Sequence, residues 1–121
     1  MREMVSVIIL SYRNTQGIYE SLESVLSQKY DNIELIISDD GTPGFLEELH
    51  NIEDYIEAKK NSNIKNIVIN AIEVNGGTVK NINSAIKKAK GKYIKILSAE
   101  DRFSNSDALD KYVEYMENTK G

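Results

Sequence analysis

Residues 4–10 read MVSVIIL and residues 33–38 read IELIIS. Both are short, nearly continuous apolar runs followed by polar residues. Runs of this kind suit strands buried on both faces of a parallel sheet. Between them the period changes. Ile18, Leu22, Val25 and Leu26 fall at i, i+4, i+7 and i+8, the spacing of a helix with one apolar face. The alternation continues outward. Phe45, Leu49, Ile52 and Ile56 follow at helical spacing, with Pro43 placed to start that helix. Residues 66–72 (NIVINAI) read as a third strand. Val79, Ile82, Ala85, Ile86 and Ala89 give a third helix, closed by Gly91 just past its end. Residues 93–97 (YIKIL) read as a fourth strand. Leu109, Tyr112, Val113 and Met116 mark a last helix, with Ser104 or Ser106 available as its N-cap.

The order β-α-β-α-β-α-β-α implies an α/β fold: a Rossmann-like three-layer α/β/α sandwich on a mostly parallel sheet, with right-handed crossovers. A length of 121 residues fits one domain, 1–121, with a core that needs no disulfide or structural metal. Hydrophobic residues make up 40% and charged residues 28%, which excludes a disordered chain. The absence of cysteine removes disulfide frameworks, zinc knuckles and cysteine nucleophiles. The single histidine, His50, reads as a surface residue of the second helix. A net charge of -4 argues against nucleic acid as a partner, because neutralising phosphates needs a basic face. No run approaches a membrane span, and the first residues lack a signal-peptide layout, so the expectation is a soluble, cytoplasmic domain.

In such sheets ligands sit beyond the carboxyl ends of the strands, near the point where strand order reverses. The segments that follow the four strands are therefore the candidates: Ser11-Tyr12-Arg13-Asn14, Asp39-Asp40-Gly41-Thr42-Pro43, Asn75-Gly76-Gly77 and Ser98-Ala99-Glu100-Asp101. Each alone reads as a turn, a helix cap or a rim aromatic. Together they bring carboxylates from two strands to one edge, where a divalent cation would relieve their repulsion. A carboxylate can also accept a hydrogen bond from the imide N–H of uracil, and Tyr12 can stack on a base. A nucleoside diphosphate satisfies both. The P-loop pattern and the G-x-G-x-x-G of dinucleotide folds are absent. A receiver-like phosphoacceptor domain is excluded as well: it needs its acidic pair after the first strand, and an aspartate after the third where Ile72-Glu73-Val74 stands. The lysine-rich stretches around Lys59-Lys60 and Lys87-Lys88-Ala89-Lys90 read as solvated helix faces.

Five segments in register resemble the N-terminal part of the family 2 glycosyltransferases, which have the GT-A nucleotide-diphospho-sugar transferase fold. Residues 5–12 (VSVIILSY) look like the family's opening strand, and residues 21–28 (SLESVLSQ) like its first helix. Residues 34–42 (ELIISDDGT) look like its Glu-Ile-Ile-Val-Asp-Asp-Gly-Ser segment. Residues 75–77 (NGG) with Asn83 and residues 89–94 (AKGKYI) look like its Asn-x-Gly…Asn…Ala-x-Gly-x-Tyr-Ile stretch. Residues 97–101 (LSAED) stand at its DxD-type motif. The resemblance covers nearly the whole chain. It implies an inverting transferase that takes a UDP-sugar or other nucleotide-sugar donor and passes the sugar to a sugar or lipid-linked acceptor, in the setting of polysaccharide assembly. By position it implies that Ser11, Tyr12 and Arg13 line the nucleoside pocket and that Asp39, beside Asp40, binds the base. Asn75, Gly77 and Asn83 would shape the wall near the ribose and diphosphate. Ser98, Ala99 and Glu100 would lie near the sugar-diphosphate, and Asp101 would ligate Mn²⁺ or Mg²⁺.

This sequence departs from the family pattern at several places. Leu10 replaces a frequent proline, Arg13 a frequent asparagine and Ile82 a frequent arginine. The DxD-type motif has serine for its first acid and glutamate for its second. The family's catalytic base and acceptor site lie downstream, and this chain ends about 20 residues past the motif, so no catalytic base is assigned. The alternative is a binding or regulatory module of the same fold without turnover. A truncated fold also leads us to expect an open edge at the fourth strand and self-association through it.

Overall fold

The computed structural model describes residues 2–119. Four strands and four helices alternate: β1 (Val5–Ser11), α1 (Thr15–Leu26), β2 (Ile33–Asp40), α2 (Phe45–Lys59), β3 (Ile64–Ile72), α3 (Thr78–Lys88), β4 (Tyr93–Ser98) and α4 (Ala108–Thr119). The sheet order is β3-β2-β1-β4 and every pairing is parallel. The chain runs outward from β1 to β3 and then returns to the far side of β1. The strand order therefore reverses between β1 and β4, and this is the crevice such sheets use for ligands.

Every residue of β1 and β2 is buried, as continuous apolar runs in the sheet centre require. Alternation then divides their side chains between two layers. Val5, Val7, Ile9, Leu35 and Ile37 pack with Ile18, Leu22, Ile52, Leu109 and Val113 beneath α1, α2 and α4. Ile8, Leu10 and Ile36 pack with Ala85 of α3 on the other face. The even-numbered residues of β2 (Glu34, Ile36, Ser38 and Asp40) thus face α3. One helix covers that face where three cover the other. β4, an outer strand, is left half-covered, with Ile96 38% exposed.

Three local expectations change. Pro43 does not open α2; it stands in the preceding turn, and Gly44, with φ 77°, leads into Phe45. Gly91 is not the stop of α3, which closes on Ala89 in extended backbone. Gly91 instead lets the chain pass against β1, where an added Cβ would meet Ser6 N and Oγ at 2.6 Å. Neither Ser104 nor Ser106 caps α4. Gln28 Oε1, from the end of α1, accepts Leu109 N–H at 3.0 Å and satisfies an otherwise open donor of the first turn. Among the described residues, no helix is long and apolar enough to cross a membrane. His50 is exposed on α2 beside Asp54.

Candidate functional site

At the strand-order reversal lies a cleft of about 180 Å³, lined by Leu10, Ser11, Tyr12, Asn14, Asp40, Thr78, Asn81, Ser98 and Ala99. Six of these, Ser11, Tyr12, Asn14, Asp40, Ser98 and Ala99, belong to the candidate segments, brought together from the ends of β1, β2 and β4. A larger cleft of about 520 Å³ lies to one side, between the ends of β2 and β3 and the start of α2. It draws on only one of the four candidate segments, through Asp39, Gly41, Thr42 and Pro43, whereas the smaller cleft gathers residues of three, so size does not select the site here.

The two aspartates do different work, and strand parity explains why. Asp39 sits on the α1/α2 side of β2 and is 1% exposed. Its Oδ1 accepts from Ser11 Oγ and Thr42 Oγ1, both at 2.7 Å, and its Oδ2 accepts from Thr42 N at 2.8 Å. It shapes the turn after β2 and lines the larger cleft, whereas Asp40 lines the one at the strand-order reversal. Asp40, one residue on, points to the α3 side. Its Oδ2 accepts from Asn75 Nδ2 at 2.7 Å and Gly77 N at 2.9 Å, and its Oδ1 from Gly76 N at 2.9 Å. Asn75 and Gly77 are therefore held by Asp40, just before the cleft-lining Thr78. Gly41 permits this approach: its φ is +79°, and an added Cβ would lie 2.6 Å from Asn75 N.

Asn83 is separated from the cleft. It is exposed on α3, two residues from the buried Asn81, and two residues on a helix turn the side chain about 200°. Asn81 faces the sheet instead. Its Oδ1 accepts from Ser38 Oγ at 2.5 Å and its Nδ2 donates to Ser38 O at 3.1 Å. Asn70 Nδ2 completes this floor by donating to Ser38 Oγ and Ser84 Oγ, each at 2.9 Å. The helical phase of α3, with Ala85 four residues after Asn81 on the buried side, is the signal that selects Asn81 over Asn83.

Tyr12 is 42% exposed at the mouth. Arg13 Nε donates to its hydroxyl at 2.9 Å, and the guanidinium carbon lies 5.5 Å from its ring centroid. Arg13 holds a positive φ of 53° and Glu100 one of 85°. Two non-glycine residues in this region, both on loops beside the cleft, mark locally strained backbone at a candidate site. Glu100 N–H donates to Gly17 O at 3.0 Å. A Cβ on Gly17 would meet Glu100 Cγ at 2.7 Å and Asn14 Nδ2 at 2.6 Å, so a side chain there would displace both neighbours.

The Ser98–Asp101 loop is held from below by α1, a feature that the apolar spacing of that helix conceals. Ser21 Oγ donates to Asp101 O at 2.5 Å and is 3.3 Å from Ser98 O. Ser24 Oγ accepts Phe103 N–H at 3.1 Å, and Gln28 Nε2 donates to Asn105 O at 2.7 Å. These polar residues recur at i, i+3 and i+7 on a buried stripe. Glu100 and Asp101 are exposed at the loop surface, and Asp101 Oδ2 accepts Ser98 N–H at 3.1 Å. No group of three or more His, Cys, Asp or Glu is gathered for a metal among the described residues. Two adjacent exposed carboxylates do fit a hard cation that takes its other ligands from a diphosphate and water.

Residues 6–121 match the family described as Glycosyl transferase family 2. The chain belongs to that family. The UDP-Glc:alpha-D-GlcNAc-diphosphoundecaprenol beta-1,3-glucosyltransferase WfaP of Escherichia coli is 36% identical over 118 residues, 98% of this chain and 43% of that protein. This family 2 chain thus spans less than half the length of that relative. Among solved structures, the Pyrobaculum calidifontis mannosyltransferase PcManGT, in complex with GDP-Man and Mn²⁺, aligns over 96% of this chain and 33% of its own, with TM-score 0.80 and 20% identity. Staphylococcus aureus TarS 1-349 in complex with UDP-GlcNAc aligns over 95% of this chain and 31% of its own, with TM-score 0.77 and 24% identity. Both show the GT-A fold in this family 2 chain.

Proposed function

We propose that residues 1–121 form the donor-binding portion of an inverting glycosyltransferase that takes a UDP-sugar with a divalent cation. The observation that carries this reading is the cleft at the strand-order reversal, where side chains from three strand ends meet two loops that can approach a diphosphate. Asp40, which lines this cleft where Asp39 does not, would read the base. Tyr12 offers its ring to the base, and Asn75 and Gly77, fixed by Asp40, form the adjoining wall. Glu100 and Asp101 would hold Mn²⁺ or Mg²⁺ against the diphosphate, and the cation supplies charge stabilisation for the leaving group. Ser21, Ser24 and Gln28 keep that loop in place before the donor arrives, so less ordering is needed on binding. Inversion requires an acceptor hydroxyl to approach the anomeric carbon from the face opposite the diphosphate, with a general base to receive its proton. The described residues contribute the donor side of that geometry. The named substrate of the Escherichia coli relative, a diphosphoundecaprenol, supports a lipid-linked acceptor.

Calorimetric titration with UDP, with and without Mn²⁺, tests the proposal. Metal-dependent binding is expected, lost in Asp101→Ala and weakened in Asp40→Ala, with Asp39→Ala acting mainly on stability. Binding that ignores both the metal and Asp101 would instead favour a binding module of the same fold. We also propose that the chain self-associates at the β4 edge, where Ile96 is exposed. Light scattering that shows a monomer at high concentration would refute this.

A further inference from the structure

Residues 74–99 hold six lysines and no Asp or Glu, in a chain whose net charge is -4. The other residues therefore carry -10, and the charge is sharply divided within one small fold. Two of the six are engaged elsewhere: Lys92 pairs with Glu3 and Glu117, and Lys95 lies 5.0 Å from the ring centroid of Tyr112. Lys80, Lys87, Lys88 and Lys90 are exposed on α3 and the turn after it. Among the described residues, no ion pair engages these four. Lys87 and Lys88 complement the helix dipole at its carboxyl end, but Lys80, in the first turn, opposes it, so capping electrostatics does not account for the set. Steps of 100° along α3 place Lys80 and Lys87 on one flank of its outward face and Val79 and Ile86 on the other, with the exposed Asn83 between them. Val79 is 72% exposed and Ile86 39%. An outward helix face with an apolar and a lysine flank is the pattern of a segment that lies on an anionic bilayer.

We propose that the outward face of α3 docks on the surface of an anionic phospholipid bilayer. The acidic remainder of the chain does not prevent this, because opposite faces of a domain roughly 30 Å across are screened from one another when the Debye length is about 8 Å. Docking this way has a consequence for the site. α3 begins at the cleft, where Thr78 is a lining residue and Gly77 N–H is bound to Asp40. A bilayer against α3 thus lies along one wall of the donor cleft, within reach of a lipid-linked acceptor. The proposal rests on the transferase reading for that meaning only; membrane binding itself is independent of it.

Co-sedimentation of the chain with phosphatidylglycerol–phosphatidylcholine vesicles, and with phosphatidylcholine alone, provides the test. Binding is expected to the mixed vesicles only, to vanish near 1 M salt, where the Debye length falls to about 3 Å, and to drop about tenfold or more in Lys80→Glu/Lys87→Glu. The charge-matched control Lys29→Glu/Lys59→Glu, on other parts of the surface, should keep most of the binding. No sedimentation with mixed vesicles, equal loss in both double variants, or equally strong and equally variant-sensitive binding to duplex DNA would each overturn the proposal. UDP titration of Lys80→Glu/Lys87→Glu separates this test from that of the donor site, since a failure of membrane binding leaves UDP binding as it was.

Discussion

β2 carries a buried carboxylate at each end of the face it turns to α3, and the two invite comparison. Near the start of the strand, Glu34 is 0% exposed. It accepts from Ser6 Oγ at 2.7 Å, Asn66 Nδ2 at 2.7 Å and Lys90 N at 2.8 Å. At the end of the strand, Asp40 accepts from Asn75 Nδ2, Gly76 N and Gly77 N. Each anion is held by neutral donors, those of Glu34 from two neighbouring strands and a turn and those of Asp40 from the loop before α3, and each fastens one end of α3. The difference is what lies beyond. The donors to Glu34 belong to β1, β3 and the turn between α3 and β4, whereas those to Asp40 immediately precede the cleft-lining Thr78, where Asn75 and Gly76 are exposed to water. One device thus lies enclosed at one end of the strand and beside the cleft at the other.

Substitution should separate the two roles. Glu34→Ala leaves the buried Ser6 Oγ and the part-buried donors of Asn66 and Lys90 without their acceptor and opens a cavity, so a loss of about 3 kcal/mol is expected in urea denaturation. UDP affinity of the fraction that remains folded should be unchanged. Asp40→Ala should cost less stability, about 1–2 kcal/mol, because Asn75 and Gly76 are exposed and water can satisfy their donors. It should nevertheless weaken UDP binding about tenfold or more, since the carboxylate proposed to read the base is removed. If Glu34→Ala impaired UDP binding as much as Asp40→Ala, the two ends of α3 would be coupled and the comparison would fail.

The pH dependence sharpens the contrast on the structural side. Burial alone would raise the pKa of Glu34, but the hydrogen bonds from Lys90 N–H, Ser6 and Asn66 outweigh it and hold the carboxyl below its usual range. The folded protein therefore takes up this proton at lower pH than the unfolded chain does. The contribution of Glu34 to stability is in place above the unfolded-state value of about 4.3 and is lost as the pH falls through the lower folded-state value. Stability measured from about pH 7 down to about pH 3 should fall less steeply in Glu34→Gln than in the parent chain, from a lower starting point. Parallel curves would show that Glu34 does not titrate with folding.

Much of the fold is legible in the sequence, because apolar runs and helical spacing report burial directly, and all eight elements lie where those patterns place them. β3 begins at Ile64 instead of Asn66, a shift at the end of an outer strand where pairing is irregular. The site is legible only to the level of its loops. Which of two adjacent aspartates enters the cleft depends on strand parity relative to α3, and the side of the sheet that α3 covers is a tertiary fact. Glu34 looks like an intrusion in an apolar run until Ser6 and Asn66 are placed beside it. The polar stripe of Ser21, Ser24 and Gln28 has no meaning until the loop it supports folds back over α1.

The smallest expected effect is the most discriminating for the α3 wall. Asn83 is exposed, so Asn83→Ala should change stability by less than about 0.5 kcal/mol and leave UDP affinity within about twofold. Asn81 is 3% exposed, and its removal leaves Ser38 Oγ and Ser38 O without their carboxamide partner, at a cost of about 1–2 kcal/mol. Because Asn81 lines the cleft and fixes the helix that follows Gly77, Asn81→Ala should also weaken UDP binding, whereas Asn81→Asp, which keeps the shape but loses the donor to Ser38 O, should restore little. The two asparagines differ by two residues and by half a helical turn. Equal effects on UDP binding would mean that the ligand reaches over the outward face of α3, and the wall of the site would then have to be drawn on the opposite side of that helix.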